Sequence, residues 1–66
     1  MNTLIIYLDQ CIKNAKNPNY PTRTAFDQAF GALMYHLLAH PNDSHKAEKL
    51  WEEVYRPQFE QMLYGN

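Results

Sequence analysis

The stretch from residue 24 to residue 40, TAFDQAFGALMYHLLAH, constrains the fold more than any other part of the chain. At 3.6 residues per turn, its apolar side chains collect on one side of a helix. That side is centred on Phe26, Phe30, Leu33 and Leu37, with Ala29, Gly31, Met34 and Leu38 around them. The apolar arc covers roughly 200° of the circumference, which is wider than the stripe of a surface helix. We therefore expect a central helix that packs between two others.

The segments on either side of this helix also have helical periodicity. Residues 3–16 predict a first helix, which Thr3 can cap. The connection at residues 17–23, NPNYPTR, holds two prolines and is expected to be stiff. Thr24 and Asp27 resemble a capping box at the start of the central helix, with Thr22 as the rival cap. Gly31 inside that helix predicts the close approach of a neighbouring backbone.

Pro57 divides the last helical segment into two parts. The apolar residues before it are Ala47, Leu50, Trp51 and Val54, and those after it are Phe59, Met62 and Leu63. On one continuous helix the second set is rotated by about 100° from the first. We therefore predict a break near residues 55–56, with Pro57 as the first residue of a short fourth helix that stops at Gly65. The predicted fold is all-α, a small three-helix bundle whose third helix is broken at Pro57.

The chain of 66 residues predicts one domain, residues 1–66, with a small core. A domain of this length buries only about 60% of its unfolded surface, so its stability is expected to be marginal. Cys11 is the only cysteine, which excludes an internal disulfide and predicts a buried thiol. Self-association into a homodimer is therefore an open alternative. The expected core is Leu4, Ile5, Leu8, Cys11, Ile12, Phe26, Phe30, Leu33, Met34, Leu37, Leu38, Leu50, Trp51, Val54, Phe59, Met62 and Leu63.

No apolar run is long enough to cross a bilayer, since the longest extends only from Leu4 to Leu8. The first residues also lack the charged segment and cleavage site of a signal peptide. Together with the single thiol, these features predict a cytoplasmic protein that makes no membrane contact.

Catalytic and metal-binding patterns are weak in this sequence. His36 and His40 are four residues apart on the central helix, with His45 beyond them, but the Glu of H-E-x-x-H and a cysteine pair are both missing. Glu52 and Glu53 are adjacent and diverge around a helix, so they do not form a catalytic pair. We expect no enzyme activity, no cofactor and no metal site.

Nucleic-acid binding is the alternative function. Lys13, Lys16 and Arg23 flank a loop rich in Asn and Tyr, a combination that single-strand binders use. The net charge of −1 argues against a dedicated nucleic-acid binder. Glu48, Glu52 and Glu53 on the third helix would also repel phosphates.

Protein binding is the leading functional hypothesis. The chain has five tyrosines, and their positions fall at flanks, loops or ends of the predicted helices rather than at core centres. Tyrosine is enriched at interfaces because it adds a large area at low entropy cost. The competing interpretation, that these rings surround a small core, is about equally strong. The candidate contact residues are Tyr20, Tyr35, Tyr7, Ile6 and Tyr55.

Two segments, NPNYPTRTAFDQAFGALMYHLL and LWEEVYRPQFEQMLYG, resemble short uncharacterised helical proteins of Gram-positive bacteria and their phages or other mobile elements. The resemblance implies an intracellular accessory protein that binds a protein partner or acts as a small inhibitor. It assigns no site to any residue.

Overall fold

The computed structural model describes residues 1–65 and contains helices but no strand among them. Helix α1 spans Asn2–Ala15 and helix α2 spans Thr22–Ala39. A short 3-10 turn, Pro41–Asp43, leads into α3, Ser44–Leu50, and a π-helical turn, Trp51–Tyr55, joins α3 to α4, Arg56–Tyr64. The prediction of a small all-α bundle is confirmed.

Helix α2 is the centre of this bundle. It packs against α1 on one side and against α3 and α4 on another, while α4 also touches α1. The molecule is elongated, with principal dimensions of 36 × 18 × 15 Å. The predicted position of the middle helix between its two neighbours is therefore confirmed.

The side of α2 that faces its neighbours differs from the predicted side. The buried residues of α2 are Ala25, Ala29, Leu33 and His36. Phe30, which the sequence placed at the centre of the core, is 44% exposed, and Leu38 is 81% exposed. The prediction for these two residues is wrong, because α2 is turned by somewhat less than one residue's step of about 100°. The methyl side chains of Ala25 and Ala29 let neighbouring helices lie close to the α2 backbone.

The rest of the predicted core is confirmed in part. Seven predicted residues are buried: Leu4, Leu8, Cys11, Ile12, Leu33, Trp51 and Phe59. Phe26, Leu37, Leu50 and Met62 are partly buried and pack against these residues. Met34 and Val54 are more than 40% exposed, so their assignment to the core is wrong.

Aromatic rings pack α2 against the π turn and α4. The ring of Phe26 meets Phe59 edge-on at 5.5 Å and Trp51 at 5.9 Å, measured between centroids. Phe30 stacks on Phe26 at 6.2 Å and lies 5.9 Å from Trp51. Edge-to-face pairs of this kind add about 0.5–1.5 kcal/mol each beyond the area they bury.

The predicted interruption of the third helix is confirmed, and it takes the form of a π turn. The backbone N–H of Arg56 donates to the carbonyl of Trp51, five residues earlier, just before Pro57. A π turn underwinds the helix by about one residue. The buried positions Ala47, Trp51, Tyr55 and Phe59, each four residues apart, therefore stay on the inner face. The wider turn therefore compensates for the rotation of about 100° that a regular helix would place between the apolar residues before Pro57 and those after it.

The predicted helix caps are not formed. Helix α1 begins at Asn2 and α2 at Thr22, and neither has a side-chain cap. Asp27 instead pairs with Arg23 at 3.2 Å. A Cβ atom on Gly31 would meet nothing within 4 Å, so the expected backbone approach is also wrong. Gly65 directly follows the last helical residue in extended conformation, as the predicted stop.

Candidate functional site

An exposed apolar surface runs along the C-terminal half of α2. We call it the α2 face, and it consists of Phe30, Met34, Tyr35 and Leu38, which are 44%, 45%, 75% and 81% exposed. Residues at i, i+4 and i+8 lie in one row on a helix. At about 200 Å² for a fully exposed large side chain, these fractions amount to roughly 500 Å². A patch of that size matches the largest apolar patch of an ordinary monomer, and such a patch is often functional.

A groove of about 340 Å³ lies between α2 and α3, beside the α2 face. Its apolar residues are Phe30, Leu33, Met34, Leu37 and Trp51, and its acidic residues are Glu48 and Glu52. We call it the α2–α3 groove. Arg56 donates to Glu52 at 2.5 Å, whereas Glu48 has no ionic partner within residues 1–65. The groove is therefore apolar with an acidic border.

A second groove, of about 460 Å³, lies between the first turns of α1 and the last turns of α2. We call it the α1–α2 groove, and it is lined by Met1, Thr3, Leu4, Tyr7, Ala32, Tyr35, His36 and His40. The fold thus brings together two of the tyrosines that the sequence singled out. Tyr7 and Tyr35 are both exposed at the edge of this groove. Ile6 is 70% exposed on α1 but does not line it.

Two other tyrosine candidates have structural roles. The hydroxyl of Tyr20 donates to Oε1 of Gln28 at 2.7 Å, which fastens the α1–α2 connection to α2. Tyr55 is only 3% exposed, and its hydroxyl donates to Oδ1 of Asp9 at 2.5 Å. The assignment of Tyr55 to a contact surface is therefore wrong. The π turn rotates this residue inward, which a regular helical wheel could not show.

The contact between Tyr55 and Asp9 makes stability depend on pH. Burial, then the hydrogen bond and the charge of Asp9, raise the pKa of Tyr55 to about 12. The unfolded phenol titrates near 10, so folding favours its protonated form. This contribution is fully present below pH 10 and is lost as pH rises through about 12.

Tyr55→Phe is expected to lower the free energy of unfolding by about 1–2 kcal/mol at pH 7, because the bond to a carboxylate is lost. It should also remove much of the fall in stability between pH 10 and 12. Urea titrations across that range, followed by circular dichroism, measure both effects. Tyr64→Phe, at a position that is 72% exposed, is the matched control. Equal losses in the two variants would contradict the assigned role of Tyr55.

The basic residues proposed for nucleic-acid binding are not equivalent. Lys13 is exposed on α1, and Lys16 is exposed directly after the last residue of that helix. Arg23 pairs with Asp27, and its guanidinium lies 5.5 Å from the centre of the Phe26 ring. Arg23 is therefore already engaged within the fold, and two lysines remain for phosphate contacts.

Among residues 1–65, the titratable side chains form no cluster with the composition of a metal site. No group of three His, Cys, Asp or Glu side chains converges anywhere in the part of the chain that the structure describes. His36 and His40 approach each other, with ring centroids 4.7 Å apart. Cys11 is a buried free thiol, and burial raises its pKa, which disfavours the reactive thiolate.

Among residues 1–65, no helix combines the length and the apolar character needed to cross a membrane. Comparison with protein-family models, curated proteins and solved structures finds no match. The resemblance to proteins of Gram-positive bacteria and their phages stays a prediction.

Proposed function

We propose that this protein is a non-enzymatic interaction module that binds an amphipathic helix of a partner protein. The contact surface is the α2 face together with the α2–α3 groove. The single observation that carries the proposal is the exposed row of Phe30, Met34 and Leu38 on the central helix. The segment from residue 28 to residue 39 contains no Asp, Glu, Lys or Arg, so this row is not interrupted by a formal charge.

The area of the α2 face predicts a modest affinity for a partner helix. Burying roughly 500 Å² of apolar surface contributes about 12 kcal/mol before the costs of association. Those costs are about 4–15 kcal/mol, so only part of the gain remains. A helix that lies in a groove reaches it with side chains at i, i+3 or i+4, and i+7. The exposed row on α2 offers matching contacts for such a helix.

The charge at the border of the groove indicates the chemistry of the partner. Glu48 borders the groove and has no ionic partner within residues 1–65, and Glu52, which is already paired with Arg56, lies on the same border. A partner helix with Lys or Arg beside its apolar stripe would place cations near these carboxylates. Complementary charge of this kind mainly raises the association rate and the specificity, and its effect falls with added salt.

Two synthetic 18-residue amphipathic helices test this proposal directly. Both carry the same leucine stripe, and their polar positions hold Lys in one peptide and Glu in the other. We expect calorimetry at low salt to show micromolar binding of the Lys peptide and at least about tenfold weaker binding of the Glu peptide. Failure to bind the Lys peptide, or equal affinity for both peptides, would overturn the proposal.

Matched variants locate the binding surface. Leu38→Asn on the α2 face should weaken binding of the Lys peptide about tenfold or more, because it replaces an exposed anchor. Ile6→Asn makes a similar change at an exposed position of α1 and should leave the affinity unchanged. Equal losses would remove the α2 face from the proposal. If sedimentation showed a stable dimer and Leu38→Asn dissociated it, the α2 face would bind a second copy of this chain. That result would contradict the proposal of a partner helix.

A further inference from the structure

Glu48 is a carboxylate at the border of the α2–α3 groove whose charge is not balanced within the fold. It lines the groove and forms no ion pair among residues 1–65. The two lysines of α3, Lys46 and Lys49, are exposed and do not line the groove. At about 100° per residue they lie about 160° and 100° around the helix from Glu48. Its carboxylate is therefore available to a cation on a bound partner.

The second carboxylate at this border, Glu52, is already engaged. Arg56 donates from Nη1 to Glu52 at 2.5 Å and from Nε to Glu60 at 3.1 Å. A cation that approached Glu52 would also meet the positive charge of this guanidinium, which opposes the approach. Glu53, the next residue, is exposed but does not line the groove. The acidic residues near the groove therefore differ in what they offer to a partner.

Glu48 lies at the end of the groove nearer to the connection between α2 and α3. The short turn Pro41–Asp43 reverses the chain, so the third helix runs back along α2. Trp51 meets Phe30 with ring centroids 5.9 Å apart. Glu48 is three residues nearer to the turn than Trp51, so it lies towards Leu37, which lines the same groove. The free negative charge is thus at a defined place beside the apolar contacts.

We infer that Glu48 determines which helices the groove accepts, and that the partner carries a Lys or Arg beside the apolar residue that contacts Leu37. This inference rests on the proposed function, because it concerns the same groove. An exposed pair of opposite charges adds little affinity, whereas a like charge at the same position is repelled. Glu48 therefore supplies selectivity between partners, and the apolar row of the α2 face supplies most of the binding free energy.

Variants at two exposed positions test this inference with the Lys and Glu peptides described above. Calorimetry at low salt gives the ratio of the two affinities for each variant, and circular dichroism checks that each stays folded. Glu48→Gln should reduce the preference for the Lys peptide from at least about tenfold to about threefold or less. Glu53→Gln makes the same change of charge outside the groove and should leave the ratio unchanged.

Charge reversal gives a result that a loss of structure could not produce. With Glu48→Lys, the Lys peptide should bind no more tightly than the Glu peptide, whereas Glu53→Lys should keep the preference for the Lys peptide. Equal changes of the ratio at the two positions would show a general charge effect. That result would overturn the role of Glu48 and leave the proposed function in place. If neither peptide bound the unchanged protein, both proposals would be overturned.

Discussion

Replacing Phe59 by alanine is expected to remove a large part of the free energy of unfolding. Phe59 is fully buried, and its ring packs edge-on against Phe26 at 5.5 Å and lies 6.0 Å from Trp51. Removing a buried phenylalanine ring costs about 3–5 kcal/mol. A domain of this length has a total stability of roughly 3–10 kcal/mol. Urea denaturation of the variant, followed by circular dichroism, should show a midpoint at a much lower urea concentration than in the unchanged protein.

Phe30→Ala is the matched control for this experiment. The sequence placed Phe30 at the centre of the core, but 44% of the residue is exposed in the structure. Its truncation should therefore cost only about 1–2 kcal/mol, since less area returns to water. A cooperative transition at reduced urea concentration is expected. A larger loss for Phe30→Ala than for Phe59→Ala would contradict the observed orientation of α2.

Ala29→Glu is expected to have an effect of similar size. Ala29 is fully buried on the inner side of α2, where a carboxylate would have neither water nor a cation. An uncompensated buried charge costs about 3–5 kcal/mol, and the longer side chain adds steric strain. Part of the loss should be recovered at low pH, because protonation removes the charge. Thermal denaturation at pH 7 and at pH 4 measures both parts of this prediction.

Leu38→Glu is the control on the opposite side of the same helix. Leu38 was assigned to the core from the sequence but is 81% exposed. A glutamate there stays in water, so the free energy of unfolding should change by no more than about 0.5 kcal/mol. If Leu38→Glu unfolded the protein while Ala29→Glu did not, the direction in which α2 faces its neighbours would be refuted.

Helix periodicity predicted α1 well because its apolar residues occupy one clear face. Leu4, Leu8 and Cys11 recur every three or four residues, and the opposite side is polar apart from Ile6. All three are buried as expected. On α2 the same method fails, because apolar residues extend around most of the helix. Side-chain size then decides the orientation, and the two alanines allow a closer approach than Phe30 would.

The candidate site could be predicted only as individual residues. Tyr7 and Tyr35 were chosen for their flanking positions, and the packing of α1 on α2 places both at one groove. Tyr55 had the same type of signal but is buried by the π turn. In the sequence His36 shows only a weak metal-binding pattern, and the burial of its Nε2 atom is visible only in the structure. The only sign of this burial in the sequence is the position of His36 at the edge of the predicted apolar arc.

The sequence by itself determined the helical class, the positions of the three helices and the interruption near Pro57. These properties depend on the local periodicity of apolar residues and on the missing N–H of proline. Both are properties of the local sequence and do not depend on tertiary contacts. Only the tertiary structure decided which side of α2 is buried and how the third helix stays in phase. Both outcomes depend on the fit between neighbouring surfaces, because two helices can pack more closely at a methyl side chain than at a phenyl ring.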